Sequence, residues 1–169
     1  MKLIKKSFRF CFLLILGLAL FSSYKDEYQE RYEEQQKREE ALIQEYLKDN
    51  NITNAQRQPS GVYFIPEAPG DGTKVQKTST LEIHSIGRLL NYDGYPKFES
   101  TYENGQTRRV KLGANQVVRG LEEGLLLMEQ GAKATIIMPS GMGYGQYGNY
   151  SSIPGNATLL YEISLLKIE

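Results

Sequence analysis

The chain has 169 residues, yet it contains one cysteine, one histidine and no tryptophan. A single cysteine, Cys11, can form no intramolecular disulfide and no cysteine-based metal cluster. His84 has no second histidine or cysteine with which to share a metal, and no strand-to-helix elbow presents a serine to it, so Ser–His or Cys–His catalysis is not indicated. Neither charge is in excess, with 20 basic and 20 acidic residues, whereas nucleic-acid-binding proteins carry a basic excess. We therefore expect no metal, no cofactor and no nucleic-acid partner.

The neutral total is the sum of three unlike segments. Residues 1–23 hold four basic residues and no acidic one, and residues 24–50 hold nine acidic and five basic residues. Residues 51–169 hold eleven of each. Only this last segment has the length of a domain, since domains cluster at about 100 to 150 residues.

The first segment, residues 1–23, has the pattern of a secretory signal. A basic start that ends at Arg9 precedes twelve uncharged residues, and this run is shorter than the ~20 residues that a membrane-spanning helix needs. No good cleavage site follows the run, so two outcomes stay open: a cleaved signal peptide or an uncleaved N-terminal membrane anchor. Tyr24, not a cysteine, comes next, which does not support lipidation. Both outcomes predict a location in the cell envelope or periplasm, either soluble or attached to the membrane.

The second segment, residues 24–50, is predicted to be a charged helix because it contains no Gly and no Pro and is rich in Glu, Gln, Lys and Arg. Two interpretations stay open. The helix is either a solvated stalk, or a helix that forms a dimer or docks on its own domain through a weak apolar stripe. The stripe consists of Tyr24, Tyr28 and Tyr32, then Leu42, Ile43, Tyr46 and Leu47. Residues 51–59 are predicted to be a linker.

Residues 60–169 are predicted to form one α+β domain with an antiparallel sheet. Alternating apolar residues and turn pairs such as Asp93–Gly94 and Asn104–Gly105 predict short strands, and residues 117–130 predict one short helix ended by Gly131. The predicted strands cover residues 61–65, 80–86, 96–101, 107–112, 132–138 and 157–168, and Pro66 is expected to close the first. A long loop, 139–156, contains a G-x-G-x-x-G string, but residues 149–154 cannot open the helix that a dinucleotide site requires.

Several ordered motifs occupy residues 79–169. They are His84-Ser-Ile-Gly87, Lys97-Phe-Glu-Ser-Thr101, Val117-Val-Arg-Gly-Leu-Glu-Glu-Gly124, Gly143-Tyr-Gly145 and Ile153-Pro-Gly-Asn-Ala-Thr-Leu-Leu-Tyr-Glu-Ile163. On these residues the chain resembles the FKBP-type peptidyl-prolyl isomerases, whose patterns are H-Y-x-G, F-D-S-S, V-I-x-G-W-x-E-G, a Y-G loop and I-P-P-x-A-x-L-x-F-x-V. The N-terminal part is similar to that of bacterial cell-envelope members, including lipoproteins linked to gliding motility.

The resemblance implies a curved antiparallel sheet wrapped around one short helix, with an apolar pocket that accepts a prolyl ring. By motif position it implies catalytic roles for Phe98, Glu99, Tyr144 and Tyr161, and substrate-binding roles for Val117, Val118, Leu121 and Ile153. Tyr144 would donate a hydrogen bond to a substrate carbonyl.

Four positions depart from the family pattern. Ser85 stands where the family usually has Tyr, Leu121 replaces the Trp of the pocket floor, Glu99 replaces Asp, and Arg108 falls where the family often has Phe. We therefore expect a shallower and more polar pocket that binds macrolide inhibitors more weakly.

These features predict a peptidyl-prolyl isomerase that binds proline-containing polypeptides and assists the folding of exported proteins. The alternative is a non-catalytic chaperone or peptide-binding module of the cell envelope with the same fold.

Overall fold

A computed structural model describes residues 27–103 and 105–169. The predicted signal or anchor at residues 1–23, the first residues of the charged helix, and Asn104 of one predicted turn lie outside the described residues. None of the helices formed by the described residues has the length and apolar character that a membrane span requires.

The first described element is helix α1, residues 27–49. The chain divides into two compact units within it, Met1–Arg38 and Glu39–Glu169. In the first unit, the described residues 27–38 carry two ion pairs between successive turns, Arg31 to Glu27 at 3.6 Å and Arg38 to Glu34 at 3.5 Å. These side chains are largely exposed, and pairs of this kind add only about 0.2 to 0.5 kcal/mol each to helix stability.

The second unit contains a seven-stranded sheet in which every pairing is antiparallel. The strands lie in the order β1-β2-β6-β7-β3-β4, and β5 also pairs with β3. They are β1 Gln56–Arg57, β2 Tyr63–Ala68, β3 Thr80–Leu89, β4 Lys97–Ser100, β5 Arg108–Lys111, β6 Lys133–Met138 and β7 Leu159–Ile168. Helix α2, Arg119–Leu125, precedes β6, and two 3₁₀ turns, Ser140–Met142 and Gly145–Tyr147, lie between β6 and β7. The predicted α+β class is confirmed.

One face of the sheet packs against α2 and carries the larger apolar core. Gly124 on α2 allows close approach, because a Cβ there would lie 2.5 Å from Cδ1 of Ile136 on β6. The core of this α2 face includes Leu81, Ile83, Val110, Leu121, Leu125, Met128, Ile136, Leu159, Tyr161 and Ile163.

The opposite face packs against residues 39–49 of α1. Ile43 and Leu47 are 1% and 6% exposed there. They form a second apolar cluster with Tyr63, Ile65, Leu90, Ile137 and Leu160. Strand β6 is therefore covered on both faces, which explains its continuous apolar sequence.

Polar contacts reinforce this α1 face. The Tyr63 hydroxyl donates to Oε1 of Glu40 and accepts from Nε2 of Gln44 at 2.6 Å. Arg57 on β1 pairs with Glu40 at 3.2 Å. Residues 39–49 of the charged helix therefore dock on their own domain, which is one of the interpretations that the sequence left open.

Two predicted boundaries differ from the structure near α1. Residues 51–59 are not a free linker, because they contain β1, which pairs with Tyr63 and Phe64 of β2. The compact unit begins at Glu39, not at residue 60. The physical reason is the apolar pair Ile43 and Leu47, which is buried only when α1 lies on the sheet.

Two further elements differ in length from their predictions. Helix α2 covers seven residues of the predicted 117–130, because Val118 is extended and residues 129–130 bond instead to residues 73–74. Strand β2 continues through Pro66 to Ala68, with a register shift between them. Strand β1 pairs with β2 at Tyr63 and Phe64 and not beyond. At Pro66, β2 is therefore an edge strand on that side, where the backbone N–H that proline lacks is not needed for pairing.

Candidate active site

A pocket of about 210 Å³ opens beside the N-terminus of α2, on the α2 face of the sheet. Five of the eight residues predicted for the site line it, together with three polar residues. The lining residues are Arg108, Asn115, Gln116, Val117, Val118, Leu121, Tyr144 and Tyr161. Three of the five sequence motifs, spread over more than forty residues of the chain, therefore meet at one cavity, whereas the predicted site residues Phe98, Glu99 and Ile153 are not among its lining residues.

The floor and one wall of the pocket are aliphatic. Leu121 on the first turn of α2 is 1% exposed, and the half-buried Val117 and Val118 precede the helix. Val118 has φ −65° and ψ 152°, an extended conformation that suits a β-branched residue. The extended segment ends at Val118, and α2 begins directly after it, so all three side chains reach the same cavity.

Tyr161 lines the pocket, and Phe98, which is not among the lining residues, packs against it; we call this pair the aromatic wall. Their ring centroids are 5.6 Å apart and the rings are nearly perpendicular at 86°, a favourable edge-to-face arrangement. Gly87 on β3 pairs with Tyr161 on β7 and leaves space for Phe98, because a Cβ at position 87 would lie 2.5 Å from Cζ of Phe98. A glycine is therefore needed behind this wall.

The two tyrosine hydroxyls of the pocket interact with each other. Burial, followed by the negative charge of Glu99, raises the pKa of Tyr161 well above its usual value, and its hydroxyl interacts with that of Tyr144. The same two causes raise the pKa of Tyr144, which is 36% exposed at the pocket mouth. Both phenols thus stay protonated at neutral pH.

Glu99 is held by Arg108 and does not face the pocket as a free acid. Nη1 of Arg108 lies 3.4 Å from Oε1 of Glu99, and Nη2 donates to the carbonyl of Gln116 at 3.1 Å. Both side chains are about one-third exposed, so the pair is partly screened by solvent. The guanidinium forms a polar rim where the family pattern has an aromatic ring, as the departure at position 108 leads one to expect.

Sequence reasoning missed Asn115 and Gln116 as lining residues. Gln116 is fixed by its side chain, whose Oε1 accepts from the backbone N–H of Lys111 at 2.8 Å. Asn115 has φ 53°, in the left-handed region that Asn tolerates. The one sequence feature that could have indicated a pocket position for Asn115 and Gln116 is that they directly precede Val117.

Two other positions lie behind the pocket. Ile153 is 2% exposed in the core and, like Phe98 and Glu99, is not among the lining residues, so its substrate-binding role stays a prediction. Ser85 is fully buried, and its Oγ has no hydrogen-bond partner among the described residues.

Among the residues that the structure describes, no group of three or more His, Cys, Asp or Glu side chains could hold a metal ion.

An antiparallel sheet with a pocket of aliphatic, aromatic and polar side chains at the start of one short helix defines the class of this small α+β domain. The family model of the FKBP-type peptidyl-prolyl cis-trans isomerases matches residues 71–166. This match covers more than half of the chain, and the chain therefore belongs to that family.

Individual relatives agree with this assignment. A probable FKBP-type peptidyl-prolyl cis-trans isomerase of Haemophilus influenzae is 32% identical over 73% of this chain and 48% of its own length. An FK506-binding protein of Neisseria meningitidis serogroup B is 37% identical over 59% of this chain and 88% of its own length. The crystal structure of FkpA from Escherichia coli matches 92% of this chain and 71% of that chain, with a TM-score of 0.67 and 25% identity. The chain spans about half the length of the Haemophilus relative.

Proposed function

We propose that this chain catalyses cis-trans isomerisation of peptidyl-prolyl bonds in the pocket beside α2. The observation that carries the proposal is the pairing of a buried aliphatic floor, Leu121, with a protonated phenol at the mouth, Tyr144. Such a pocket fits a five-membered apolar ring and leaves one donor for the neighbouring carbonyl.

The reaction needs no acid, base or nucleophile. Resonance in the amide sets a rotation barrier of about 18 to 20 kcal/mol, and uncatalysed prolyl isomerisation takes tens to hundreds of seconds. In the twisted state the amide loses resonance, and its carbonyl loses part of its negative charge. An apolar site that removes water from the bond therefore favours the twisted state over the planar one.

The proposed roles follow from position. Phe98, Tyr161, Val118 and Leu121 hold the prolyl ring, and Val117 lines the adjacent wall. Tyr144 donates to the substrate carbonyl. Glu99 holds Arg108 at the pocket through an ion pair, and its negative charge raises the pKa of Tyr144 and Tyr161.

The cellular role that we propose is assistance to the folding of exported proteins in the cell envelope or periplasm. It is based on the basic and apolar pattern of residues 1–23. The mass of the mature N-terminus, measured on protein from a membrane fraction, distinguishes a cleaved signal from an anchor. The narrower likeness to gliding-motility lipoproteins stays a prediction.

Two further expectations about partners accompany this role. The cationic rim of Arg108 and the polar Gln116 predict macrolide binding weaker than in members with an aromatic rim. Tyr28 and Tyr32 are 50% and 45% exposed, so a helix-mediated dimer is still a prediction, and sedimentation of the full chain tests it.

The alternative function is a chaperone or peptide-binding module without catalysis. Arg108 at the pocket mouth favours it, and so do the loop residues Tyr147 and Tyr150, which are 68% and 89% exposed. A protein of this kind binds proline-containing peptides but leaves their isomerisation rate at the uncatalysed value.

A protease-coupled isomerisation assay on the full chain separates the two functions. We expect catalysis by the wild type, and about fivefold lower kcat/KM in Tyr144→Phe, because one net hydrogen bond is worth about 1 kcal/mol. Tyr161→Phe is the matched control, since it removes a buried hydroxyl that only orients Tyr144, and we expect a change of about twofold. A well-folded wild type at the background rate would leave only the binding function, and equal rates for Tyr144→Phe and wild type would refute the role of Tyr144.

A further inference from the structure

Glu39 on α1 is a buried acidic residue outside the matched family region. It is 4% exposed, and a buried carboxylate is costly unless it accepts hydrogen bonds. Its Oε1 accepts from the backbone N–H of Ser140 at 3.2 Å, a contact between positions 101 residues apart. Glu39 therefore joins α1 to the segment that follows β6.

Ser140 begins the turn that leads into the pocket. The 3₁₀ turn Ser140–Met142 has no side-chain cap from its own N-cap residue, Pro139, so its first N–H needs an acceptor from elsewhere. Tyr144 follows two residues after this turn. The carboxylate of Glu39 thus fixes the start of the segment that ends at the proposed donor.

The other side of the same turn is fixed by α2. Nη2 of Arg119 donates to the carbonyl of Gly141 at 3.0 Å. Met142 packs against α2 at Gly120, where a Cβ would lie 3.1 Å from Cβ of Met142. The turn therefore contacts both α1 and α2, and the α1 contact comes from outside residues 71–166.

We propose that Glu39 is a positioning residue of the isomerase, which sets the place of Tyr144 through the backbone of Ser140. The inference rests on the proposed function of the pocket and adds α1 to the elements that shape it. The docked end of the charged helix is then part of the active domain, and loss of its contact misplaces the donor of the site.

Two nearly isosteric substitutions test the proposal in the full chain. Glu39→Gln keeps an acceptor oxygen, and Glu39→Met keeps the volume but has none. We expect kcat/KM near that of the wild type for Glu39→Gln. For Glu39→Met we expect a fall of about tenfold, since small displacements of a catalytic group have large effects on rate. Hydrogen exchange of the Ser140 amide, measured by NMR, should be faster in Glu39→Met and unchanged in Glu39→Gln.

The neighbouring residue supplies the matched control. Glu40 contacts Tyr63 and Arg57 on the sheet. We therefore expect Glu40→Met to lower the free energy of unfolding while kcat/KM and the hydrogen exchange of the Ser140 amide stay unchanged. The proposal is overturned if Glu39→Met keeps wild-type exchange at Ser140, or if both Met variants lose kcat/KM in proportion to stability. If the wild type is inactive, the proposed function is wrong, but the positioning role of Glu39 can still be tested. Hydrogen exchange of the Ser140 amide and the backbone chemical shifts of Tyr144 then decide whether Glu39 positions the loop.

Discussion

The two faces of the sheet are built from the same strands but are covered by different kinds of helix. On β6, Ile136 faces α2 and Ile137 faces residues 39–49 of α1, and both are completely buried. The α2 face lies within the region that the family model matches and carries the pocket. The α1 face is covered by a helix that precedes this region. Family motifs thus locate the chemistry, whereas part of the packing that supports the sheet comes from outside them.

The largest difference between the two faces is expected when one buried leucine or isoleucine on each face is replaced by alanine and both stability and kcat/KM are measured. Leu121 and Ile43 are both 1% exposed, so Leu121→Ala and Ile43→Ala should each lower the free energy of unfolding by about 2 to 5 kcal/mol. Only Leu121→Ala should also lower kcat/KM of the folded fraction, because Leu121 forms the pocket floor. Urea unfolding and the isomerisation assay measure the two effects.

An exposed residue of α1 provides the control for this pair. Lys48→Ala changes the same helix at an exposed position and should shift stability by no more than about 0.5 kcal/mol. If Ile43→Ala changes the free energy of unfolding as little as Lys48→Ala does, then the docking of α1 does not stabilise the domain. The α1 face would then not contribute to stability as the α2 face does.

Sequence alone predicted the α2 face much better than the α1 face. The strands and one short helix followed from alternation and turn pairs, and five of the eight residues that line the pocket occupy motif positions of the family resemblance. The docking of α1 stayed one of the open alternatives, because Glu39 belongs to a charged stretch that is typical of a solvated helix, and its burial depends on Ser140, which is distant in sequence. The weak apolar stripe that includes Ile43 and Leu47 was the signal for a buried face.

The errors in detail have the same origin in long-range contacts. The stretch after Leu125 is rich enough in leucine for a longer helix, but Gln130 donates to the carbonyl of Thr73, and this pairing ends α2. Asn115 and Gln116 enter the pocket through a left-handed turn and a side-chain bond to Lys111. Periodicity within a segment contains no information about such contacts.

A medium effect is expected from Gly87→Ala, which tests the α2 face from within the sheet. The new Cβ would lie 2.5 Å from Cζ of Phe98, so we expect a loss of about 1 to 3 kcal/mol in unfolding free energy. Displacement of Phe98 should also lower kcat/KM, since this ring contacts Tyr161 in the aromatic wall.

Ser85→Ala is the matched control for Gly87→Ala, because Ser85 lies two residues earlier on the same face of β3. Its Oγ has no hydrogen-bond partner among the described residues, so its removal should be neutral or slightly stabilising. A crystal structure of each variant would show whether Phe98 has moved. Wild-type stability and turnover in Gly87→Ala would contradict the assignment of Phe98 to a tightly packed wall.

The smallest effect is expected on the α1 face, from Glu40 and its dependence on pH. Burial opposes ionisation of this carboxyl, but hydrogen bonds from Tyr63, Gln44 and Arg57 outweigh it and lower the pKa of Glu40 below its usual 4.5. Because the folded state favours the charged form, the stabilisation is present above pH 4.5 and is lost as the pH falls through the lowered pKa. The side chain is 36% exposed, so solvent screening limits the contribution to at most about 1 kcal/mol.

Glu40→Gln should therefore be less stable than the wild type in urea at pH 7, and the difference should shrink as the pH falls through the lowered pKa of Glu40. Tyr63→Phe removes one of the donors that lower the pKa, so it should reduce the same pH dependence, and in the double variant the two changes should not add. Additive changes would mean that the two residues act separately, and docking of α1 would then be due to Ile43 and Leu47 alone. Non-additive changes would mean that a polar network also holds α1 on the sheet, one residue away from the carboxylate that reaches Ser140.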